Sequence, residues 1–343
     1  MNSVSDQTVP AGAPLAARCG RGLSLLSGGL DSQLAVCVLR EQGLHVEAVV
    51  FESPFFKIEA AKRAADKLKV VLHVVPFTED ILALVKHPPH GFGGALNPCI
   101  DCHARMIRRA GDLMREKGFD FVATGEVLNQ RPMSQNRRSL GIVEKDAALD
   151  GRLLRPLSAL LLDPTVPEQE GVVDRARLLG LSGRSRKPQM ELAAKYGMKE
   201  YPSPAGGCLL TEKGFCRKVA DLQGHEGLDD ERLVRLLLCG RHFRLPGGAK
   251  CVAGRDARDN AALVQARREG DVLLHTVNVP GPTVLLSKGV GEGDLALAAG
   301  LCAGYGDHGS RKEVIVRILR GDGSKEERAV VPLPKEQFSG WML

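Results

Sequence analysis

The sequence predicts an α/β protein in which a parallel sheet carries helices on both faces and a small α+β module follows. Three short apolar runs, at residues 23–26, 46–51 and 70–75, alternate with segments of helical periodicity. Alternation of this kind favours parallel strands joined by crossover helices. Beyond residue 230 the apolar runs are broken by Gly and Pro, which indicates a second and smaller domain.

The elements of the first domain follow from these patterns in chain order. Strands are predicted at residues 23–26, 46–51, 70–75 and 119–124. A helix is predicted directly after a glycine turn at 27–32, and further helices at 58–68, 104–117, 171–179 and 188–196. From Arg152 onward the pattern predicts mainly helix. A stretch rich in Gly, Pro and His, residues 87–98, interrupts the alternation. We expect a first domain at 21–225.

The second domain is predicted at residues 230–343, after a boundary near 224–229. Its helices are predicted at 230–238 and 295–303, and its strands at 272–274, 283–286 and 314–319. Residues 1–20 are small and polar, and we expect them to be disordered or extended. They lack the basic start and apolar core of a secretory signal, so a cytoplasmic location is expected.

Composition sets limits on the function. The chain has 343 residues, a length that suits two or three domains, and its 47 Lys and Arg against 41 Asp and Glu give a net charge of +6. No apolar run approaches the ~20 residues of a membrane span, so no membrane partner is expected. Aromatic residues make up only 4%, so any nucleic acid would be bound through phosphate contacts and shape rather than base stacking.

The glycine turn between the first strand and helix reads Ser-Gly-Gly-Leu-Asp-Ser from Ser27 to Ser32. Its glycines allow successive backbone N–H groups to point at one place, at the positive end of the following helix, where phosphate binds. Asp31 cannot bind phosphate and is expected to engage Mg²⁺ or to order the loop. The turn lacks the lysine of the ordinary NTPase loop and the spacing of the dinucleotide fingerprint.

This turn resembles the pyrophosphate-binding loop of the ATP pyrophosphatase, or PP-loop, superfamily, which cleaves ATP between the α- and β-phosphates to adenylate a substrate. A Gly-Gly turn closing an ordinary α/β unit is the alternative. The resemblance implies a Rossmann-like fold of the adenine nucleotide α-hydrolase type, with ATP and Mg²⁺ as cofactors. The ATP-binding residues that it implies are Ser27, Gly28, Gly29, Leu30, Asp31, Ser32, Phe51 and Gly125.

Three of the nine cysteines form a candidate metal or sulfur site. Cys99 and Cys102 are spaced C-x-x-C, and Cys208 follows in a Gly-Gly turn. Three protein thiolates would leave one iron of a [4Fe–4S] cluster open to bind and deliver sulfide. Structural zinc normally takes four ligands, so it would have to recruit His103 or Cys216.

Several cluster-free alternatives stay open for these cysteines. They are a persulfide carried by one thiol and resolved by another, a redox dithiol, and the c-type haem pattern that Cys99, Cys102 and His103 formally match. The six remaining cysteines are expected mostly to be buried small hydrophobes. An odd number of cysteines in a reducing compartment argues against a disulfide framework.

A second block resembles the tRNA 4-thiouridine synthetase family. Residues 122–130 read V-A-T-G-E-V-L-N-Q, followed by S-Q-N at 134–136 and L-R-P-L at 154–157, which matches that family's T-G-E-x-x-x-Q, S-Q and R-P-L segments. The resemblance covers about residues 23–215. It implies a tRNA substrate, thiolated preferably to 4-thiouridine at position 8. It implies functional roles for Lys187 and Cys208. Together with Asp31 of the glycine turn and Cys102 of the cysteine pair, they are the predicted catalytic residues.

The N-P-x-x-x-C segment at 97–102 is also similar to tRNA 2-thiouridylases, so thiolation at the 2-position of uridine or cytidine is the nearest alternative. The glycine loop starts as early as Ser27 and no rhodanese-type domain is evident, so we expect the family's N-terminal RNA-binding extension and its sulfur carrier to be replaced. The three-cysteine set would take the sulfur from a cysteine desulfurase or from free sulfide. Whether the protein is a homodimer is left open.

The C-terminal third resembles the RNA-binding module of the NFACT ribosome-quality-control proteins. It carries G-R-x-x-x-x-N at 254–260, D-x-x-x-H at 271–275 and a Pro-Gly turn at 280–281. The alternative is a solvated charged face in which acidic neighbours offset the arginines. The RNA-binding residues that we predict are Arg105 and Arg108 beside the cysteines, and Arg255, Arg258, Asn260, Arg267 and His275 in the module.

These observations together predict an ATP-dependent tRNA sulfurtransferase. Two other classes of function compete with it. A small-molecule amidating or adenylating ligase on the same fold would have no use for three cysteines, and a non-catalytic RNA-binding protein would have no need of an intact glycine loop.

Overall fold

The computed structural model describes residues 19–201, 208–287 and 289–343. These residues form two compact units, one of residues 19–93 and 98–201, the other of residues 94–97 and those from 208 onward. The N-terminus was expected to be disordered or extended, and its residues 1–18 lie outside the described residues. So does most of the predicted turn at 201–208.

The first unit contains a parallel sheet and the helices that connect its strands. Its strands are β1 (Arg21–Leu25), β2 (His45–Glu52), β3 (Leu72–Pro76), β4 (Phe121–Ala123) and β5 (Leu153–Leu154). Its helices are α1 (Leu30–Glu41), α2 (Glu59–Leu68), α3 (Thr78–Lys86), α4 (Cys99–Lys117), α5 (Arg137–Ala147), α6 (Val166–Gln169) and α7 (Lys187–Lys195). Short 3₁₀ turns lie at Ala159–Leu161 and Arg175–Arg177.

The strands lie in the order β3-β2-β1-β4-β5 and all pair in parallel, which confirms the predicted fold class. Right-handed crossovers require the helices that join β1 to β2 and β2 to β3 to lie on the opposite face from those that connect β3 to β4. The chain reverses its direction of travel across the sheet between β1 and β4. In open α/β sheets a crevice for ligands opens at such a point, at the carboxyl ends of the strands.

Three local predictions for this unit were wrong. The chain from Arg152 begins with β5 rather than a helix, because Arg152 and Leu154 accept hydrogen bonds from β4 and its end. The helix after the cysteines begins at Cys99, since the Cys102 amide already donates to the Pro98 carbonyl. The cysteine pair therefore occupies the first turn of α4.

The third error is the helix predicted at 171–179. Only a 3₁₀ turn forms there, closed by the Asp174 carboxylate, which accepts from the Ala176 amide. Downstream of this turn, the Leu179 amide donates to the Pro156 carbonyl. This second contact ties the segment to the loop after β5 instead of to a further helical turn.

The second unit is an antiparallel sheet with helices, the α+β module that was predicted. Its strands are β6 (Arg241–Arg244), β7 (Lys250–Ala253), β8 (Val272–Thr276), β9 (Thr283–Leu286), β10 (Val314–Leu319) and β11 (Lys325–Val330), in the order β11-β10-β8-β9-β7-β6. Its helices are α8 (Lys213–His225), α9 (Glu231–Leu236), α10 (Ala257–Ala266), α11 (Glu292–Gly304) and α12 (Lys335–Ser339). Within the described ranges, none of the helices combines the length and apolarity that crossing a membrane requires.

Buried charges tie helix α8 to the strands of the second unit. The Asp221 carboxylate accepts hydrogen bonds from Lys250 and, at 2.7 Å, from Arg244, which also pairs with Glu226. Burial opposes ionisation of Asp221, but the bonds from Arg244 and Lys250 outweigh it and lower the pKa of this carboxyl. The sequence predicts that the second domain starts at residue 230. The second unit therefore begins further upstream than predicted.

The core of the second unit yields a stability prediction. Leu274 on β8 is fully buried, whereas Val264 on α10 is 54% exposed. Leu274→Ala should lower the free energy of unfolding by ~3 kcal/mol, because it removes buried apolar contacts and leaves a cavity. Val264→Ala should change it by less than ~0.5 kcal/mol. Urea denaturation measures both values, and equal losses would show that β8 is not central to this core.

Candidate functional site

The glycine loop lies at the carboxyl end of β1, where the chain reverses across the sheet. Gly28 has a φ of +82°, and a β-carbon on it would lie 2.3 Å from the carbonyl carbon of Ala60 in α2. Only glycine tolerates both this left-handed conformation and such an approach of another backbone. The turn is therefore pressed against the first turn of α2.

Side chains of the loop and of α1 hold the backbone of the turn. The Ser27 hydroxyl accepts from the Gly29 amide at 3.3 Å, and the Ser32 hydroxyl donates to the Gly29 carbonyl at 2.8 Å. The buried amide of Gln33 donates to the Gly28 carbonyl at 2.9 Å. Within the described residues no side chain caps the N-terminus of α1. Its first-turn N–H groups can therefore bind an anion.

The end of β4 closes the other side of this loop. A β-carbon on Gly125 would lie 2.5 Å from the Ser32 amide nitrogen and 2.6 Å from the Asp31 carbonyl carbon. The carboxyl end of β4 thus meets the first turn of α1 backbone to backbone. Phe51, at the end of β2, is buried with its ring 5.2 Å from that of Phe77, and its contact with ATP stays a prediction.

A chain of hydrogen bonds joins the loop to α7. The Gln130 side chain donates to Asp31 Oδ2 at 2.7 Å, and the Gln189 side chain donates to Gln130 Oε1 at 2.9 Å. Asp31 Oδ1 is buried, and among the described residues it has no hydrogen-bond partner. A buried carboxylate oxygen of this kind is suited to coordinate Mg²⁺, which prefers oxygen ligands.

This chain also bears on Lys187, the first residue of α7. Lys187 is exposed and lies two residues before Gln189, which is almost fully buried. The link from Gln189 through Gln130 to Asp31 therefore sets the start of α7 relative to the glycine loop. No local sequence pattern marks Gln189, and the catalytic role of Lys187 stays a prediction.

Two motif residues near the loop form a buried ion pair. Glu126 follows Gly125 directly, and its carboxylate accepts from Arg155 at 3.0 Å and lies 3.0 Å from His103 Nδ1. Burial alone would raise the pKa of Glu126, but Arg155 and His103 outweigh it and the pKa falls to about 2. Arg155 also pairs with the half-exposed Glu144 at 3.0 Å. The T-G-E and R-P-L segments are therefore joined in the core.

The predicted cluster residues fall in both units. Cys99 and Cys102 are half-buried in the first turn of α4, and their spacing places both on one side of that helix. Two thiolates placed in this way fit two ligands of one iron–sulfur cluster. Cys208 lies in the second unit, directly before the 3₁₀ turn Leu209–Thr211, and the preceding glycines lie outside the described residues. The three-cysteine set stays a prediction.

Three of the six other cysteines are buried as expected, and Cys37 and Cys239 are partly buried. Cys216, Cys251 and Cys302 are buried, and burial raises the pKa of Cys302 to about 12. The pKa of Cys251 is raised by the same cause. These two thiols are therefore unreactive at neutral pH. Cys19 is exposed, just ahead of β1.

Most of the predicted RNA-binding residues make internal contacts. In α4, Arg105 pairs with Asp80 at 3.0 Å, and Arg108 donates to the backbone carbonyl of Asp146. In the second unit, Arg255 pairs with the buried Asp259 at 2.7 Å. The Arg267 guanidinium donates to the backbone carbonyl of Arg320.

The remaining candidates in the second unit differ in accessibility. Asn260 Oδ1 accepts from the Thr283 amide at 2.9 Å, so this side chain joins α10 to β9. His275 lies opposite Arg317 in the sheet, and burial, reinforced by Arg317, lowers its pKa. Arg258 is exposed, and its guanidinium makes no hydrogen bond or ion pair with any other described residue. Of this set, Arg258 is best placed to bind phosphate.

Two family models match the two parts of the chain. Residues 17–180 match the model described as thiamine biosynthesis protein (ThiI), and residues 240–342 match that of the NFACT protein RNA binding domain. The glycine loop at the switch point of the parallel sheet lies inside the part that matches the ThiI model. The chain is thus similar to ThiI over its first part and to an NFACT RNA binding domain over its last part, which confirms both resemblances.

Curated relatives are similar over the first part. Proteins named "Probable tRNA sulfurtransferase" are 31% identical over 150 residues in Geobacillus kaustophilus (strain HTA426) and 28% identical over 196 residues in Bacillus subtilis (strain 168). The matches cover 41% and 54% of this chain but only 35% and 45% of those relatives. The chain therefore spans less than half the length of the relatives that it matches.

A solved structure, of a predicted subunit of tRNA methyltransferase from Methanocaldococcus jannaschii, is similar with a TM-score of 0.34 and 15% identity. The match covers 51% of this chain and 76% of that one. At this TM-score the likeness supports no argument about the site.

The buried ion pair predicts a pH-dependent stability. Glu126→Gln should lower the free energy of unfolding by ~3 kcal/mol at pH 7, because it leaves Arg155 without its buried counter-charge. The folded-state pKa of about 2 lies below the ordinary 4.5. The stabilisation is therefore complete above pH 4.5 and is lost as the pH falls toward 2.

Urea denaturation at several pH values between 7 and 3 measures this difference. Glu144→Gln is the matched control, since it removes the half-exposed carboxylate that pairs with the same Arg155. It should cost less than ~1 kcal/mol. A gap between wild type and Glu126→Gln that does not narrow at acid pH would contradict the prediction.

Proposed function

We propose that this protein is an ATP-dependent tRNA sulfurtransferase that forms 4-thiouridine, with position 8 of tRNA as the favoured target. One observation carries the proposal. Gln130, the glutamine of the T-G-E-x-x-x-Q segment, donates at 2.7 Å to Asp31 of the glycine loop. The second oxygen of Asp31 is buried and finds no hydrogen-bond partner in the part of the chain that the structure describes. The loop expected to bind pyrophosphate and the segment that resembles tRNA thiolation enzymes thus form one site.

ATP would bind with its phosphates at the glycine loop. The N–H groups at the start of α1 supply hydrogen-bond donors for the phosphate oxygens. The hydroxyls of Ser27 and Ser32 would turn away from their contacts within the loop to add two more. Mg²⁺, held by Asp31, would neutralise phosphate charge. The backbone contacts at Gly28 and Gly125 hold the donors in place before the nucleotide arrives, so little reorganisation is needed on binding.

In the first chemical step, the uracil carbonyl oxygen of the tRNA attacks the α-phosphorus of ATP and pyrophosphate leaves. The loop amides and Lys187 stabilise the charge that develops on the phosphate oxygens. The target base has to leave its stacked position to reach this site. Sulfide then replaces the adenylated oxygen, and AMP leaves.

Sulfur delivery is assigned to Cys99, Cys102 and Cys208. A bound [4Fe–4S] cluster with one open iron would supply sulfide to the adenylated base. The chain's own contribution is to hold two thiolates on one side of α4. A persulfide on one of these cysteines, resolved by another, is the alternative. Free sulfide could load a cluster, whereas the persulfide requires the sulfane sulfur of a cysteine desulfurase.

The second unit would hold the body of the tRNA. Its similarity to an NFACT protein RNA binding domain supports this role. Contacts with phosphates suit a surface whose aromatic residues are few.

Nucleoside mass spectrometry of tRNA from a deletion strain tests the activity. Complementation with the wild-type chain should restore 4-thiouridine, and Asp31→Asn should lower it about 100-fold by weakening phosphate charge stabilisation. Asp112→Asn, on the exposed surface of α4, is the matched control and should restore it fully. Loss of a 2-thio nucleoside instead would assign the alternative carbonyl, and pyrophosphate release that does not require tRNA would indicate a small-molecule ligase.

The sulfur route is tested with Cys208→Ala, which should abolish thiolation and leave ATP binding intact. Cys19→Ser, an exposed cysteine outside the predicted set, serves as the control. Iron and acid-labile sulfide counted on anaerobically purified protein should show a cluster in the wild type and its loss with Cys102→Ser. Wild-type protein without iron would favour the persulfide route, and loss of ATP binding would make the role of Cys208 structural.

The RNA-binding prediction concerns Arg258. Arg258→Ala should weaken tRNA binding and reduce the slope of log affinity against log salt by about 1, because one phosphate contact is lost. Arg235→Ala is the matched control, since Arg235 is equally basic and exposed but pairs with Glu231 at 2.6 Å. Equal effects of the two variants would show only that overall charge matters.

A further inference from the structure

Three metal-ligand side chains meet at the start of α4, away from the glycine loop in sequence. They are His90 from the Gly/Pro/His-rich stretch, Asp101 from the first turn of α4 and Asp146 from the end of α5. One donor atom from each lies within 4.8 Å of the other two. His90 Nε2 is 2.7 Å from Asp146 Oδ2 and 3.9 Å from Asp101 Oδ1.

The charges of this cluster favour a bound cation. Asp101 is only 5% exposed, and among the described residues it makes no ion pair with a lysine or arginine. Its Oδ2 accepts from the backbone amide of His90 at 3.1 Å. Arg108 is nearby, but it donates to the backbone carbonyl of Asp146 and not to the carboxylate. A buried carboxylate is costly unless a cation or strong donors face it.

We propose that His90, Asp101 and Asp146 bind a first-row divalent cation. One imidazole and two carboxylates are a common nitrogen and oxygen donor set for such ions, and the imidazole disfavours Mg²⁺ and Ca²⁺. Metal–ligand bonds of about 2.0–2.2 Å place neighbouring donor atoms roughly 3.0–3.5 Å apart. The observed 2.7 and 3.9 Å lie on either side of that range, so small side-chain rotations form the site.

The site has a structural consequence for the cysteines. Asp101 lies between Cys99 and Cys102 in the first turn of α4. A cation bound to it would join that turn to α5 and to the preceding loop at His90. It would therefore hold the two thiols in place without touching the nucleotide. The site does not depend on the proposed function, and it would remain if the reaction proved different.

Mn²⁺ is the probe for this site, because it binds oxygen and nitrogen ligands and has little affinity for the nearby thiols. Free Mn²⁺, measured by electron paramagnetic resonance in a titration of the full chain without nucleotide, gives stoichiometry and affinity. We expect one site that is weakened at least tenfold by Asp146→Asn and by His90→Gln. Zn²⁺ should displace the Mn²⁺, and bound Mn²⁺ should raise the melting temperature of the wild type but not that of the two ligand variants.

Asp31→Asn and Cys102→Ser are the controls, and both should keep the site. Circular dichroism checks that the ligand variants fold, and Asp146, at 38% side-chain exposure, can be replaced without opening the core. Mn²⁺ binding that the two ligand variants leave unchanged, or its absence from the wild type, would overturn the proposal. The cluster would then be a group held together by hydrogen bonds alone.

Discussion

Two backbone contacts that leave no space for a β-carbon determine the geometry of the first unit's carboxyl edge. At Gly28 the loop after β1 touches α2, and at Gly125 the end of β4 touches the first turn of α1. Interiors packed at this density transmit small displacements, so neither segment can move alone. The amide groups of α1 and the Asp31 carboxylate are consequently fixed relative to the loop after β1, to α2 and to the end of β4 before any ligand binds.

The charges behind this edge hold the chain that follows β4. Glu126 and Arg155 are both almost fully buried, and the pair keeps the segment after Gly125 against the chain after β5. A buried ion pair contributes little net stability once desolvation is counted, although removing one partner is costly. Its effect here is positional, because Gln130, four residues after Glu126, has to reach Asp31. The Gln189 contact extends the same restraint to α7.

The sequence predicted those features that a pattern of neighbouring residues determines. Alternating apolar runs predicted the parallel sheet, and the Ser-Gly-Gly-Leu-Asp-Ser turn predicted a loop at the end of β1. Strand β11, which reads Lys-Glu-Glu-Arg-Ala-Val, has no apolar pattern because it lies at the sheet edge, and β6 and β7 have only four residues each. No local pattern could identify them as strands.

Contacts between distant residues were beyond the reach of such patterns. Gln130 lies 99 residues from Asp31 and 59 from Gln189, so their hydrogen bonds exist only in the folded chain. Arg255 and Asn260 are in the predicted RNA-binding segment, yet Arg255 pairs with Asp259 and Asn260 holds the Thr283 amide. Charge alone does not tell a residue that faces solvent from one engaged inside its own domain.

The ion pairs of α8 set a limit on how this protein can be divided into pieces for study. The side chains of Lys250 and Arg244 are mostly buried, and they pair with Asp221 in α8 and with Glu226 at its end. A fragment cut at residue 240, where the match to the RNA-binding family begins, keeps both cations and discards both anions. A low free energy of unfolding of this fragment would result from the choice of boundary. It would not measure the intrinsic stability of the domain.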